Sequence, residues 1–209
     1  MKRLKGRDKS LLAASGPEWR CVSTRLIRIA AVLVALISFA SSNPPSLDAK
    51  ASEYEVRAAY LYNFAKFIEW PPGIPGPDSE PFRICILGDD SFESVLNSMI
   101  AGETVKGRKV EAKSITRSQE AAKCQILFIG SSQEGQLKAV FAGLGRSPIL
   151  TVSDIPQFSQ HGGMIEFTLD DNRVRFEVNL LSAREAGLAV SSELLKVATV
   201  VRREPQSGD

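Results

Sequence analysis

The chain has 209 residues, with 26 Lys and Arg against 24 Asp and Glu, one His and three Cys. A net charge of +2 and a hydrophobic share of 44% exclude a strongly basic nucleic-acid binder and a disordered polyelectrolyte. No internal repeat or low-complexity run is present.

Met1–Arg28 is basic, carrying Lys2, Arg3, Lys5, Arg7, Lys9, Arg20, Arg25 and Arg28 against Asp8 and Glu18. Ile29–Ala40 is uncharged and almost wholly apolar, and Ala40-Ser41-Ser42 supplies small residues before Asn43-Pro44-Pro45. This order predicts a cleaved secretory signal peptide over residues 1–42. As a helix, an apolar run of about 12 residues spans about 18 Å, short of the roughly 30 Å bilayer core, so a retained anchor is the weaker reading. Cleavage leaves about 167 residues, enough for one domain with a real core. The leader also takes eight of the 26 basic residues and only two of the 24 acidic ones, leaving a net charge of about −4. Nothing basic then remains to favour nucleic acid.

Asn43–Ser52 reads as a polar tether. Glu53–Trp70 is predicted helical, because Tyr54, Ala58, Leu61, Ala65 and Ile68 recur at helical spacing. Tyr60, Tyr62, Phe64 and Trp70 make the helix unusually aromatic. Core packing is the plainer account of that breadth; the other is a partner- or dimer-facing stripe using Tyr60 and Phe64. Pro71-Pro72 stops the helix, and Gly73–Pro81 is a loop.

Phe82–Leu87 reads as a buried strand. Ser91–Ile100 is a helix with Asp89, Asp90 or Ser91 to cap it. Lys109–Ile115 is a strand with a wetter face, and Cys124–Ile129 a second buried strand. Gln133–Leu144 is a helix ended by Gly145, and Ile149–Val152 a third buried strand. This alternation predicts an α/β fold: a three-layer sandwich with a mainly parallel central sheet and helices on both faces.

Beyond Gly162-Gly163, Met164–Leu169 and Arg173–Val178 alternate with period two around Asp170-Asp171-Asn172. They predict an antiparallel hairpin with Leu169 opposite Val174. Helices over Leu180–Ala186 and Ser191–Val201 follow, then a polar tail, 202–209. The folded unit is read as one domain, 53–201.

Cys21 precedes the apolar run and leaves with the leader, so it is no lipoprotein cysteine. Cys85 and Cys124 remain. A pair in an exported domain reads as one structural disulfide, ahead of a redox-sensitive switch or free thiols. Neighbouring parallel strands lie about 4.8 Å apart, which suits a disulfide.

The segments Ala58–Pro71, Phe82–Phe92, Gly162–Phe167 and Arg175–Ala198 together resemble the YfiR family of exported bacterial proteins. The resemblance implies a periplasmic α/β sandwich, often dimeric. It implies binding to the external sensor region of an inner-membrane diguanylate cyclase of the YfiN type, repression of cyclic di-GMP output, and relief by a YfiB-like outer-membrane lipoprotein. Some members carry a second cysteine pair in the C-terminal half. Gln125–Asp209 contains no cysteine, so a redox response owed to that pair does not carry over.

Enzyme chemistry finds no purchase in the sequence. His161 stands alone between Gln160 and Gly162, with no Cys or carboxylate at metal-ligand spacing. Gly-x-Ser-x-Gly and phosphate-cradling loops are absent. No cofactor or metal is expected. The hairpin's outward face is the stronger candidate, because Glu166, Arg173, Arg175 and Glu177 project opposite to its apolar face. The proposed register sets Glu166 against Glu177, which is unfavourable unless a cation neutralises the pair. A solvated ion-pair cluster is the plainer reading. The functional one is a recognition patch for a partner or small anion with Arg175 as donor. A rival role is a small-ligand module built on the loops Gly88–Ser91, Gly130–Ser132 and Ser153-Asp154 at the strand ends.

Overall fold

The computed structural model describes residues 47–73 and 80–202. The expected signal peptide, the first part of the tether and the tail beyond Arg202 lie outside the described residues.

Helix α1 spans Leu47–Phe67. It begins within the segment read as a tether, where Ala49, Lys50 and Ala51 are good helix formers. It buries Ala58, Leu61, Phe64 and Ala65 completely. Each large side chain of this kind contributes about 2 kcal/mol by leaving water. The helix ends before Trp70, because Ile68–Glu69 forms a short strand, β1. Pro71 favours extended backbone in the residue before it.

Strands β2 (Phe82–Leu87) and β4 (Arg108–Ile115) flank helix α2 (Asp90–Met99) and the two-residue β3 (Thr104–Val105). Asp89 caps α2, accepting from the Phe92 N–H. A 3-10 turn over Ser118–Lys123 leads to β5 (Ile126–Ile129). The helix expected over Gln133–Leu144 divides into a 3-10 segment, Ser131–Gln136, and α3, Leu137–Leu144. Gly145 ends α3 at φ +58. Then come β6 (Leu150–Ser153), β7 (Ile165–Asp170), β8 (Arg173–Asn179), α4 (Leu180–Glu185), β9 (Ala189–Val190), α5 (Ser192–Val197) and β10 (Val200–Arg202).

The main sheet runs β10-β8-β7-β6-β5-β2-β4-β3, and β1 pairs separately with β9. Only β7–β8 and β3–β4 are antiparallel within that sheet; the other described pairings are parallel. The hairpin register sets Leu169 against Val174 and Glu166 against Glu177, as the alternation predicts. Asp171 and Asn172 turn it with φ of 47 and 59, the geometry of a tight two-residue loop.

Alternation along the strands divides the interior. Ile84, Ile86, Phe128, Val152, Phe167 and Phe176 pack with α1 and α2 on one side. Cys85, Leu87, Leu127 and Ile129 pack with Leu137, Val140 and Phe158 on the other. The architecture is therefore the expected sheet with helices on both faces. The last helix also differs from expectation: the one expected over Ser191–Val201 stops at Val197, and Val200–Arg202 becomes an edge strand parallel to β8. Thr199, Val200 and Val201 are β-branched, and a free sheet edge satisfies their backbone better than a last helical turn.

Candidate functional site

The outward face of the hairpin is built around a buried carboxylate. Glu166 is only 6% exposed. Its Oε1 accepts from the Gln157 N–H at 2.8 Å, and its Oε2 from the Ser159 N–H at 2.9 Å and hydroxyl at 2.8 Å. Gln157 stands at φ +61, a left-handed conformation that costs a non-glycine residue about 1 kcal/mol. That conformation belongs to the loop that wraps Glu166. The loop is locked again where Asn179 Nδ2 donates to the Ser159 carbonyl at 2.7 Å.

Glu177 lies directly across from Glu166. The cation that offsets the pair is Arg202, whose Nη2 is 2.9 Å from Glu177 Oε2 and whose Nε donates to Ser159 Oγ at 3.1 Å. Arg173 and Arg175 are exposed and form no ion pair among the described residues. The four hairpin residues thus divide. Glu166 and Glu177 belong to an internal network, while Arg173 and Arg175 stand free on the surface. Sequence reasoning missed Ser159 and Arg202. The β-branched run before Arg202 is the one local signal for its strand.

The aromatic stripe resolves toward packing. Phe64 is fully buried, so it offers no surface to a partner. Tyr60 is half-buried and lies 5.8, 5.9 and 5.4 Å, centroid to centroid, from Phe64, Phe167 and Phe176. Such clusters are worth about 1 kcal/mol per pair beyond the area they bury.

The loops at the strand ends are occupied by the chain itself. Tyr54 donates to Asp89 Oδ2 at 2.9 Å, and Arg57 Nη1 is 2.7 Å from Asp154 Oδ2. Ser132 Oγ donates to the Gly88 carbonyl at 2.6 Å. A Cβ added to Gly130 would meet Asp89 Cβ and the Gly88 oxygen at 2.9 Å. Helix α1 and the two glycine loops are therefore tied to one another at these strand ends. A groove of about 530 Å³ opens elsewhere, between α3 and the loop after β6, with Lys138, Phe141 and His161 on its walls. His161 itself is exposed.

Cys85 and Cys124 are joined, with Cα atoms 5.9 Å apart and both residues buried. The bond ties the middle of β2 to the entrance of β5, its neighbour in the sheet. Among the described residues no group of three or more His, Cys, Asp or Glu is arranged to hold a metal.

The profile of the YfiR/HmsC-like family matches residues 54–199, nearly the whole of this domain. The chain belongs to the YfiR/HmsC-like family. Its members are periplasmic regulators rather than enzymes, linked to diguanylate cyclase signalling. Among solved structures, a conserved domain protein from Vibrio cholerae superposes with a TM-score of 0.51 at 10% identity, covering 71% of this chain and 60% of that one. That likeness speaks for the fold alone. The chain spans about 60% of the length of that structure. The ABC domain in complex with L-Trp from Streptococcus pneumoniae aligns over 57% of this chain and 55% of its own, with 14% identity and a TM-score of 0.44. Among the described residues of this YfiR/HmsC-like protein, no helix is long and apolar enough to cross a membrane.

Proposed function

We propose that this chain is a non-enzymatic periplasmic regulator, exported by a cleaved signal peptide. It binds and represses the external sensor domain of an inner-membrane diguanylate cyclase of the YfiN type, lowering cyclic di-GMP output. A YfiB-like lipoprotein relieves the repression, and the regulator works as a homodimer. The observation that carries this reading is the family match over residues 54–199, which takes in nearly the whole folded unit. The internal engagement of Glu166, Glu177, Asp89 and Asp154 supports it, since those carboxylates are committed to structure rather than held ready for proton transfer.

Repression of this kind is a population shift. Binding favours the inactive receptor only by its differential affinity for the two receptor states. A preference of about 4 kcal/mol gives roughly a thousandfold shift. Two measurements test the proposal together: affinity capture from solubilised membranes, and cyclic di-GMP levels after deletion. The proposal expects recovery of a cyclase and a rise in cyclic di-GMP. Capture that never yields a cyclase, with cyclic di-GMP unchanged by deletion, would defeat it.

A further inference from the structure

Strand β4 is paired on one side only along most of its length. Its inner edge runs along β2 from Val110 to Ile115. Its outer edge meets β3 only at Arg108 and Lys109. Among the described residues no strand continues that edge past Lys109. The Val110 N–H, turned outward, reaches the Glu103 carbonyl at 3.1 Å. Backbone groups alternate sides along a strand, so the N–H and C=O of Ala112 and Ser114 also face outward, toward no described strand.

The side chains along that edge form a self-complementary pattern. Glu111 and Lys113 are exposed and share one face, with half-buried Ala112 between them on the other. Consider a second copy of β4 laid antiparallel, with a two-fold axis through Ala112. Ala112 then opposes Ala112 as a hydrogen-bonded pair, and Val110 opposes Ser114. Glu111 of one copy opposes Lys113 of the other, twice over by symmetry. These two pairs fall at the non-hydrogen-bonded positions, where opposed side chains approach closest. The small Ala112 side chain leaves room at the axis. A parallel arrangement would not bring the opposite charges together in this reciprocal way. The Val110 N–H is already used, so about four interchain backbone bonds remain, and β3 limits the pairing to this short stretch.

The geometry points to the outer edge of β4 as an interface for a second copy of this chain, joined antiparallel about Ala112 with reciprocal Glu111–Lys113 pairs. It rests on the homodimer in the reading above but not on the cyclase, and it names the surface that joins the copies.

The test uses the exported protein and sedimentation across a concentration series. Glu111→Lys and Lys113→Glu each set like charges opposite one another at two symmetric places, and each is expected to weaken self-association by about tenfold. The swap Glu111→Lys with Lys113→Glu restores opposite charges and is expected to restore association. Lys113 is exposed and forms no ion pair among the described residues, so Lys113→Glu should leave circular dichroism and thermal melting unchanged. Glu111 lies 3.9 Å from Arg83 Nε on β2, so the variants that change it are expected to melt slightly lower with the same circular dichroism spectrum. Independently, Ala112→Cys is expected to give a disulfide-linked dimer on non-reducing gels, since a hydrogen-bonded pair holds its Cα atoms about 5.5 Å apart. A dimer indifferent to both single reversals would overturn this interface and leave a homodimer standing. A chain that stays monomeric throughout would overturn the interface and the homodimer alike, leave the edge to an extended segment of another protein, and not touch cyclase binding.

Discussion

Arg202 and Glu177 are joined by an ion pair of 2.9 Å, with side chains only 16% and 18% exposed. Arg202 lies opposite Asn179 in the register of β10 and β8. The pair therefore crosses diagonally, two residues back along β8. It ties the last described strand to the hairpin, and it supplies the positive charge that the facing carboxylates Glu166 and Glu177 require.

Removing that charge leaves two carboxylates opposed in a poorly solvated place. Arg202→Met is expected to lower unfolding stability by about 2 kcal/mol. Adding Glu177→Gln should recover part of the loss, because the repulsion goes with it. Urea denaturation of the wild type, both single variants and the double variant measures the coupling. Effects that add to within about 0.3 kcal/mol would mean that the two residues do not interact.

The disulfide closes a loop spanning a sequence separation of 39. Replacing both cysteines with alanine is expected to cost about 3–4 kcal/mol of stability while leaving the fold intact at room temperature. Both cysteines are buried in one apolar cluster with Ala121 of the 3-10 turn and Val140 of α3. Dithiothreitol should then reduce the native protein at the rate of unfolding. Thiol labelling followed by mass spectrometry checks this. Rapid labelling without denaturant would show that the bond is accessible.

Glycine at position 130 is a steric requirement. Gly130→Ala forces its Cβ against the Asp89 side chain and the Gly88 backbone. The Gly88 oxygen is held by Ser132, so neither neighbour can withdraw cheaply. A loss of about 2 kcal/mol is expected, with faster amide exchange around Gly88 and Asp89. Exchange mass spectrometry that finds these amides unchanged would contradict the packing described here.

Glu120 carries the pH dependence with the clearest cause. Hydrogen bonds from the Thr116 and Arg117 side chains hold its carboxyl below the usual glutamate range. A carboxyl lowered in the folded state adds stability above its unfolded pKa of about 4.3, and loses it as pH falls through the lower folded value. Carbon NMR titration should place its midpoint below that of free glutamate, and Thr116→Val should raise it. A midpoint indifferent to this substitution would remove Thr116 as the main cause.

The sequence by itself determined the six inner strands of the sheet, but not its two edge strands, β3 and β10. Period-two alternation assigned faces and set the hairpin register, which already opposed Glu166 to Glu177 and demanded a cation. It determined a cysteine pair on neighbouring strands, and Gly145 as the stop of α3. Tertiary structure alone decided which cation answers, because Arg202 comes from 25 positions along the chain and not from Arg175 on the same strand. Tertiary structure likewise sent Phe64 into the core and Arg57 onto Asp154, and left the β4 edge open. The physical reason is that periodicity records which side of its own element a residue faces, whereas the partner it meets there depends on how distant elements pack.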